Sequence, residues 1–250
     1  MAQIGGNMFV SLHKLRKYLA LVVVGVLVMS AAGCGDPEKP NPTPTPVSLT
    51  PDQVIEKAIP ALQSANSFHF NLETSKLDKP LLGIFVTKAD GDVARPDKLV
   101  GDVSALIGGV PVNIKVVVDG SNQYMTDPAS GQWTSMSALL NVAEYFNPNG
   151  VGDIMAGVKD LQADGKETVN GSDSYRLTGS VPAQALKKLT PDVDATGDLK
   201  TVMWIGSGDF LLRRVQLSGP FYQGEPEDIV RTINMTDYNK KVVVETPVVH

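Results

Sequence analysis

The chain has 250 residues, a formal net charge of −5 and a single cysteine. An excess of acidic over basic residues offers nucleic acid and anionic membrane surfaces little to bind, and one thiol can neither close an internal disulfide nor build a thiolate metal site. The length suffices for one large β-rich domain with its own core, or for two small ones.

Near the start, His13-Lys14-Leu15-Arg16-Lys17 is a short basic run, Leu19 to Ala32 is almost unbroken apolar sequence, and Ala31-Ala32-Gly33 brings small residues up to Cys34. That is the three-part layout of a secretory signal. The small residues directly before a cysteine make it resemble a bacterial lipoprotein signal, although Ala31 stands where such signals most often carry Leu. The resemblance implies a signal over residues 1–33, cleavage before Cys34, and a diacylglyceryl cysteine at the new N-terminus. It also implies a protein held on the extracytoplasmic side of the cell membrane by its acyl anchor. An apolar run of about fourteen residues is short of the roughly 20 that a spanning helix needs. Removing the signal takes Lys14, Arg16 and Lys17 with it and leaves the rest more acidic. Met8 is an alternative start.

Residues 34–49 read as a tether. Pro37, Pro40, Pro42, Pro44 and Pro46 favour an extended polyproline conformation that holds a folded domain off a surface. The domain then covers 50–250. Thr50-Pro51-Asp52-Gln53 has the pattern of a capping box, and Val54, Ile55, Ala58, Ile59 and Leu62 recur at helical spacing, with a kink expected at Pro60. Beyond Asn66 the period becomes two. Phe68, Phe70 and Leu72, then Leu82, Ile84 and Val86, then Val103, Ala105 and Ile107, then Val112, Ile114, Val116 and Val118 alternate with polar residues, with turns at Gly108-Gly109 and Asp119-Gly120. Such runs predict an antiparallel meander.

The segment 135–161 interrupts it. Leu139, Leu140, Ala143 and Phe146 predict one short helix and Ile154, Met155 and Val158 another, with Asn147-Pro148-Asn149-Gly150 as a breaker between them. Strands are expected again at 162–169 and 174–179, around a hairpin turn at Asn170-Gly171. A third short helix is expected over 182–189, then strands over 201–205, 210–217, 229–236 and 242–244. The total is about ten strands.

The order of several segments resembles the LppX/LprA/LprF/LprG family of mycobacterial-type lipoproteins. They are Val118-Asp119-Gly120, Phe146-Asn147-Pro148, the run Ala163 to Gly171, and the Leu-rich strand 210–217. The resemblance covers about Thr50 to Pro247. It implies an α+β fold, a strongly curved antiparallel half-barrel with short helices over its concave face and an apolar cavity between. Its cargo would be an acylated lipid or lipoglycan, carried across the cell envelope without covalent chemistry or a cofactor. A membrane lipid transporter is a candidate partner, and a monomer is the expected state.

On periodicity alone, Val112, Ile114, Val116 and Val118 read better as a solid core than as a cavity lining; the resemblance reverses this and points to a cavity. The candidate lining is Val103, Ala105, Ile107, Val112, Ile114, Val116 and Val118 from the sheet, with Leu139, Leu140, Ala143, Ile154 and Met155 from the helices. One rival is a structural or signalling envelope lipoprotein with a solid core and no cargo. Another is a hydrolase, which would have to use His69, since His13 lies in the signal and His250 ends the chain. Gly206-Ser207-Gly208 lacks the spacing of a nucleophile elbow. The acidic run 192–198 begins like a calcium loop but carries Met203 where a bidentate Glu belongs, so no metal is expected.

Overall fold

The structure, a computed structural model, describes residues 48–76, 84–136, 147–191 and 193–249. Cys34, the signal and nearly all of the tether lie outside them, as do Leu82, Leu139, Leu140, Ala143 and the helix expected there.

Helix α1 spans Pro51–Ser64 and opens with a capping box. The Gln53 N–H donates to Thr50 Oγ1 at 3.3 Å, and the Thr50 N–H donates to Gln53 Oε1 at 3.0 Å. The helix continues through Pro60 to Ser64. Burial of Val54, Ile55, Ala58 and Leu62 supplies the packing that offsets the hydrogen bond Pro60 removes. At its far end Arg95 Nη1 donates to the carbonyls of Leu62 and Ala65 at 2.8 and 2.6 Å. A cation thus sits at the negative end of the helix dipole.

The strands are β1 (Ser67–Ser75), β2 (Ile84–Ala94), β3 (Lys98–Ile107), β4 (Val110–Asp119), β5 (Asn122–Thr126), β6 (Trp133–Ser135), β7 (Lys159–Val169), β8 (Ser172–Pro182), β9 (Asp198–Gly206), β10 (Leu212–Ser218) and β11 (Val230–Thr236). They form one antiparallel sheet in the order β6-β5-β4-β3-β2-β1-β11-β10-β9-β8-β7. Two meanders therefore meet where the first strand pairs with the last, and β6 and β7 are the free edges. The turns are of the expected kind. Gly108 and Gly109 have φ of 57° and 84°, and Asn170 and Gly171 have 51° and 74°, the left-handed region a tight hairpin needs.

Alternation gives the sheet two chemically distinct faces. On the inner face the register aligns Ile114, Val103, Ala89, Leu72, Ile233, Val215, Met203, Leu177 and Ala163 in one row from β4 to β7. The adjacent outer row reads Lys115, Asp102, Asp90, Asn71, Asn234, Arg214, Trp204 and Arg176. The sheet curls around α1, which touches both Arg95 at the end of β2 and strand β7. Those strands would stand roughly 29 Å apart on a flat sheet, whereas a helix of this length spans about 21 Å.

Helix α2 (Pro148–Ala156) corrects one expectation. Asn147-Pro148 starts this helix instead of breaking it, because Asn147 Oδ1 accepts the Asn149 N–H at 3.0 Å and Pro148 occupies the first turn. Gly150 and Gly152 sit inside it because Leu189 and Ile59 come within 3.0 and 3.1 Å of where a Cβ would stand. The third expected helix is a 3-10 turn, Ala183–Lys188. Strands β5 and β6 were not expected. Residues 242–244 form no strand, since Asp237 and Asn239, with φ of 53° and 60°, turn the chain away after β11. Phe210 also has a positive φ, 58°, and belongs to the β9–β10 turn.

Candidate functional site

Among the described residues, the inner face carries a continuous apolar row that is unevenly buried. Along its central row Met203, Leu177 and Ala89 are buried, but Ile114, Val103, Leu72, Ile233 and Val215 are only half-buried. Helix α1 and Met155 of α2 pack with Phe68, Phe70, Val93, Leu99, Val116, Val118 and Ile205 in one core cluster. A second cluster gathers Val181, Leu186, Val193, Leu199 and Leu217. The half-buried residues Leu72, Val103, Ile114, Val215 and Ile233 pack against the edge of the main cluster.

The register brings the expected sheet residues together. Val103 pairs with Ile114, Ala105 with Val112 and Ile107 with Val110, while Val116 and Val118 continue the same face opposite Gly101 and Leu99. Their environments differ. Ala105, Val116 and Val118 are 3%, 4% and 1% exposed, Val103, Val112 and Ile114 are half-buried, and Ile107 is exposed at the tip. The helical pair is divided, because Met155 joins the main cluster while Ile154 packs on the second.

His69 lies on the outer face, with Nδ1 3.0 Å from Asp92 Oδ1 and Nε2 3.4 Å from Asp90 Oδ2. Of the acidic run, Asp192 lies outside the described residues, Asp194 accepts the Gln223 N–H at 2.8 Å, and Asp198 stands 3.7 Å from the Lys159 ammonium. Among the described residues no three His, Cys, Asp or Glu side chains gather as metal ligands would.

A polar hollow of about 680 Å³ lies between the β7–β8 turn, the β9–β10 turn and residues 235–239. Its groups are engaged with one another. Arg213 pairs with Asp209 and lies over the Tyr238 ring, Asn170 Nδ2 donates to the Arg213 carbonyl at 3.0 Å, and the Tyr238 hydroxyl donates to the Leu212 carbonyl.

Sequence reasoning missed a buried ion pair at the other end of the inner face. Arg231, on the same side of β11 as Ile233, pairs with Glu225, whose side chain is 0% exposed. The second Glu225 oxygen accepts the N–H groups of Phe221 and Tyr222 at 2.8 and 3.3 Å, and the guanidinium lies 3.9 Å from the Phe221 ring centroid. Together these contacts pin the 219–229 segment across the strand ends. Nothing in Gly224-Glu225-Pro226-Glu227 distinguishes this acid from a solvated loop residue.

The sequence profile described as LppX_LprAFG lipoprotein matches residues 50–244. The Mycobacterium tuberculosis protein named lipoarabinomannan carrier protein LprG is 26% identical over 240 residues, 93% of this chain and 95% of that one. The crystal structure of LprF from Mycobacterium bovis superposes with a TM-score of 0.67 at 15% identity, covering 79% of this chain and 96% of that one. That of LppX from M. tuberculosis gives 0.56 at 24% identity, covering 77% and 96%. The two structures share the open antiparallel sheet.

Proposed function

The chain belongs to the LppX_LprAFG lipoprotein family, and from that premise we propose that it holds the acyl chains of a lipid or lipoglycan against the inner face of its sheet and carries that cargo across the cell envelope. It acts without covalent chemistry, from an acyl anchor at Cys34. The observation that carries this reading is the half-buried stretch of the central row, Ile114, Val103, Leu72, Ile233 and Val215. Each methylene of an acyl chain taken out of water is worth about 0.8 kcal/mol, so an apolar row that short helices leave partly open favours acyl chains over water. The name of the LprG relative, a carrier of a lipoglycan, points the same way.

Mass spectrometry of organic extracts of the purified protein tests the proposal, and acylated lipid at near-stoichiometric amount is the expected result. Ile114→Trp puts an indole into the row and should lower lipid per protein severalfold. Lys88→Trp, on the outer face opposite Ser104, should leave it unchanged. Reproducible absence of lipid from the wild-type protein, or equal loss from both variants, would overturn the assignment in favour of a solid-core envelope lipoprotein.

A further inference from the structure

The outer side of β3–β6 carries a groove of about 380 Å³, and we infer that it is a binding site for a short oligosaccharide, with the Trp133 indole as its platform. Alternation places the side chains. Thr126 pairs with Trp133 and lies beside Lys115, Lys115 pairs with Asp102, and Asn113 with Ser104, so these side chains project from one face. Val103 and Ile114, whose side chains alternate to the other face, also border the groove. The same two strands thus present the apolar row inward and this groove outward.

The free chemistry of the groove is mixed. Ser104 Oγ donates to Asn113 Oδ1 at 2.7 Å, which orients the amide and leaves its Nδ2 as a donor. Thr126 Oγ1 is occupied by the Lys115 N–H at 2.9 Å. The Asp102 carboxylate, the Lys115 ammonium and the Trp133 indole N–H have no partner among the described residues, although Asp102 and Lys115 are opposite one another in the register. The groove therefore offers an acceptor, three donors and one half-buried aromatic ring.

A sugar matches that set, because its ring carries an apolar C–H face for the indole and hydroxyl groups that both donate and accept. An anion does not. The single Lys115 charge is balanced by Asp102, and Asp90 follows in the same outer row. The volume lies within the range of small-ligand sites. Trp133 opens the edge strand β6, so a glycan leaving the inner face on this side reaches it after rounding one strand. Identifying that glycan with the head of the bound cargo rests on the acyl-carrier reading; the sugar site itself does not.

The test uses the folded unit Ser48–His250, which is compact by its own contacts and carries the whole sheet. The chain has two tryptophans. Trp204 is 6% exposed and donates to Glu167 at 2.7 Å, so emission changes on titration report Trp133. Mannotetraose and arabinotetraose are titrated separately, with inorganic phosphate as the anion probe. A saturable emission change with at least one saccharide is expected. Because Trp133→Ala and Trp133→Phe lack this reporter, the variants are compared by isothermal titration calorimetry, with binding weakened about tenfold or more in Trp133→Ala and in Lys115→Met, and retained in Trp133→Phe. Melting curves separate loss of the platform from loss of the fold, and the Phe variant keeps the test valid if the Ala variant unfolds. No saturable change with either saccharide, undiminished binding in Trp133→Ala, or competition by phosphate overturns the site. Lipid content is measured on the same samples. Saccharide binding by protein that never carries lipid sinks the acyl-carrier reading alone, and lipid with no saccharide binding sinks this one alone.

Discussion

Gly91 and Gly101 face one another across β2 and β3 with no room for a side chain on Gly91. A Cβ there would lie 2.9 Å from the Gly101 Cα, 2.5 Å from the Val100 carbonyl oxygen and 3.3 Å from Phe70 Cε1. The pair lies in the inner-face row between Val116 and Phe70, both buried. Gly91→Ala should cost about 1–3 kcal/mol through overpacking, read as a lower urea midpoint with an unchanged slope. An unshifted midpoint would mean that the strands do not approach this closely.

The Glu225–Arg231 pair should behave as a unit. Arg231→Met leaves the carboxylate buried and unpaired and should destabilise by about 3–5 kcal/mol. Glu225→Gln combined with Arg231→Met removes both charges, and should recover part of that loss. A double variant that is the sum of the two single losses would show that the charges do not interact. Denaturant unfolding of the three variants decides it.

Burial pushes the Tyr238 phenol well above its ordinary value of 10.0, against the opposing pull of the Arg213 and Arg95 cations. The folded chain then keeps this proton to higher pH than the unfolded chain. Its contribution to stability is complete below about pH 10 and falls as pH rises beyond that. Tyr238→Phe should flatten the alkaline decline. It should also cost about 1–3 kcal/mol near neutrality, because the Leu212 carbonyl loses its donor. Stability measured at about pH 8 and about pH 11 tests both signs; a decline that persists in the variant would assign the titration to another group.

Cys34→Ala should release the protein to the soluble extracytoplasmic fraction or leave an uncut precursor, since two acyl chains give the stable anchoring that one does not. Fractionation with mass measurement of the N-terminus reads the result. Normal processing with full membrane retention would defeat the anchor.

The sheet was largely legible because its strands are long and their turns explicit. The Gly108-Gly109 turn between two alternating runs fixed which residues of β3 and β4 share a face, and the observed register Val103–Ile114 follows from it. Strands β5 and β6 escaped notice because five and three residues, with Gln, Thr and Ser among them, carry too few alternations to stand out. Asn147-Pro148 misled because the same dipeptide can end one helix or cap the next, and only the Asn149 N–H on the Asn147 side chain decides between them. The Trp133 groove was hidden with β5 and β6, because Thr126 and Trp133 sit on those two short strands. Sequence order gives the pairing of hairpin neighbours and not that of β1 with β11. The uneven cover of the inner face comes from helix placement, which periodicity does not specify.

A sheet that is not closed pays a liability at its two edges, where unpaired backbone groups invite another chain to add a strand. Here the long edge, β7, is interrupted between Lys159 and Gln162 and again between Ala163 and Lys166, and it carries Lys159, Asp160, Lys166 and Glu167. The short edge, β6, has three residues. Neither edge is a usable template for cross-chain ladders. An open sheet edged in this way resists copies zipping together into fibrils even at high local density.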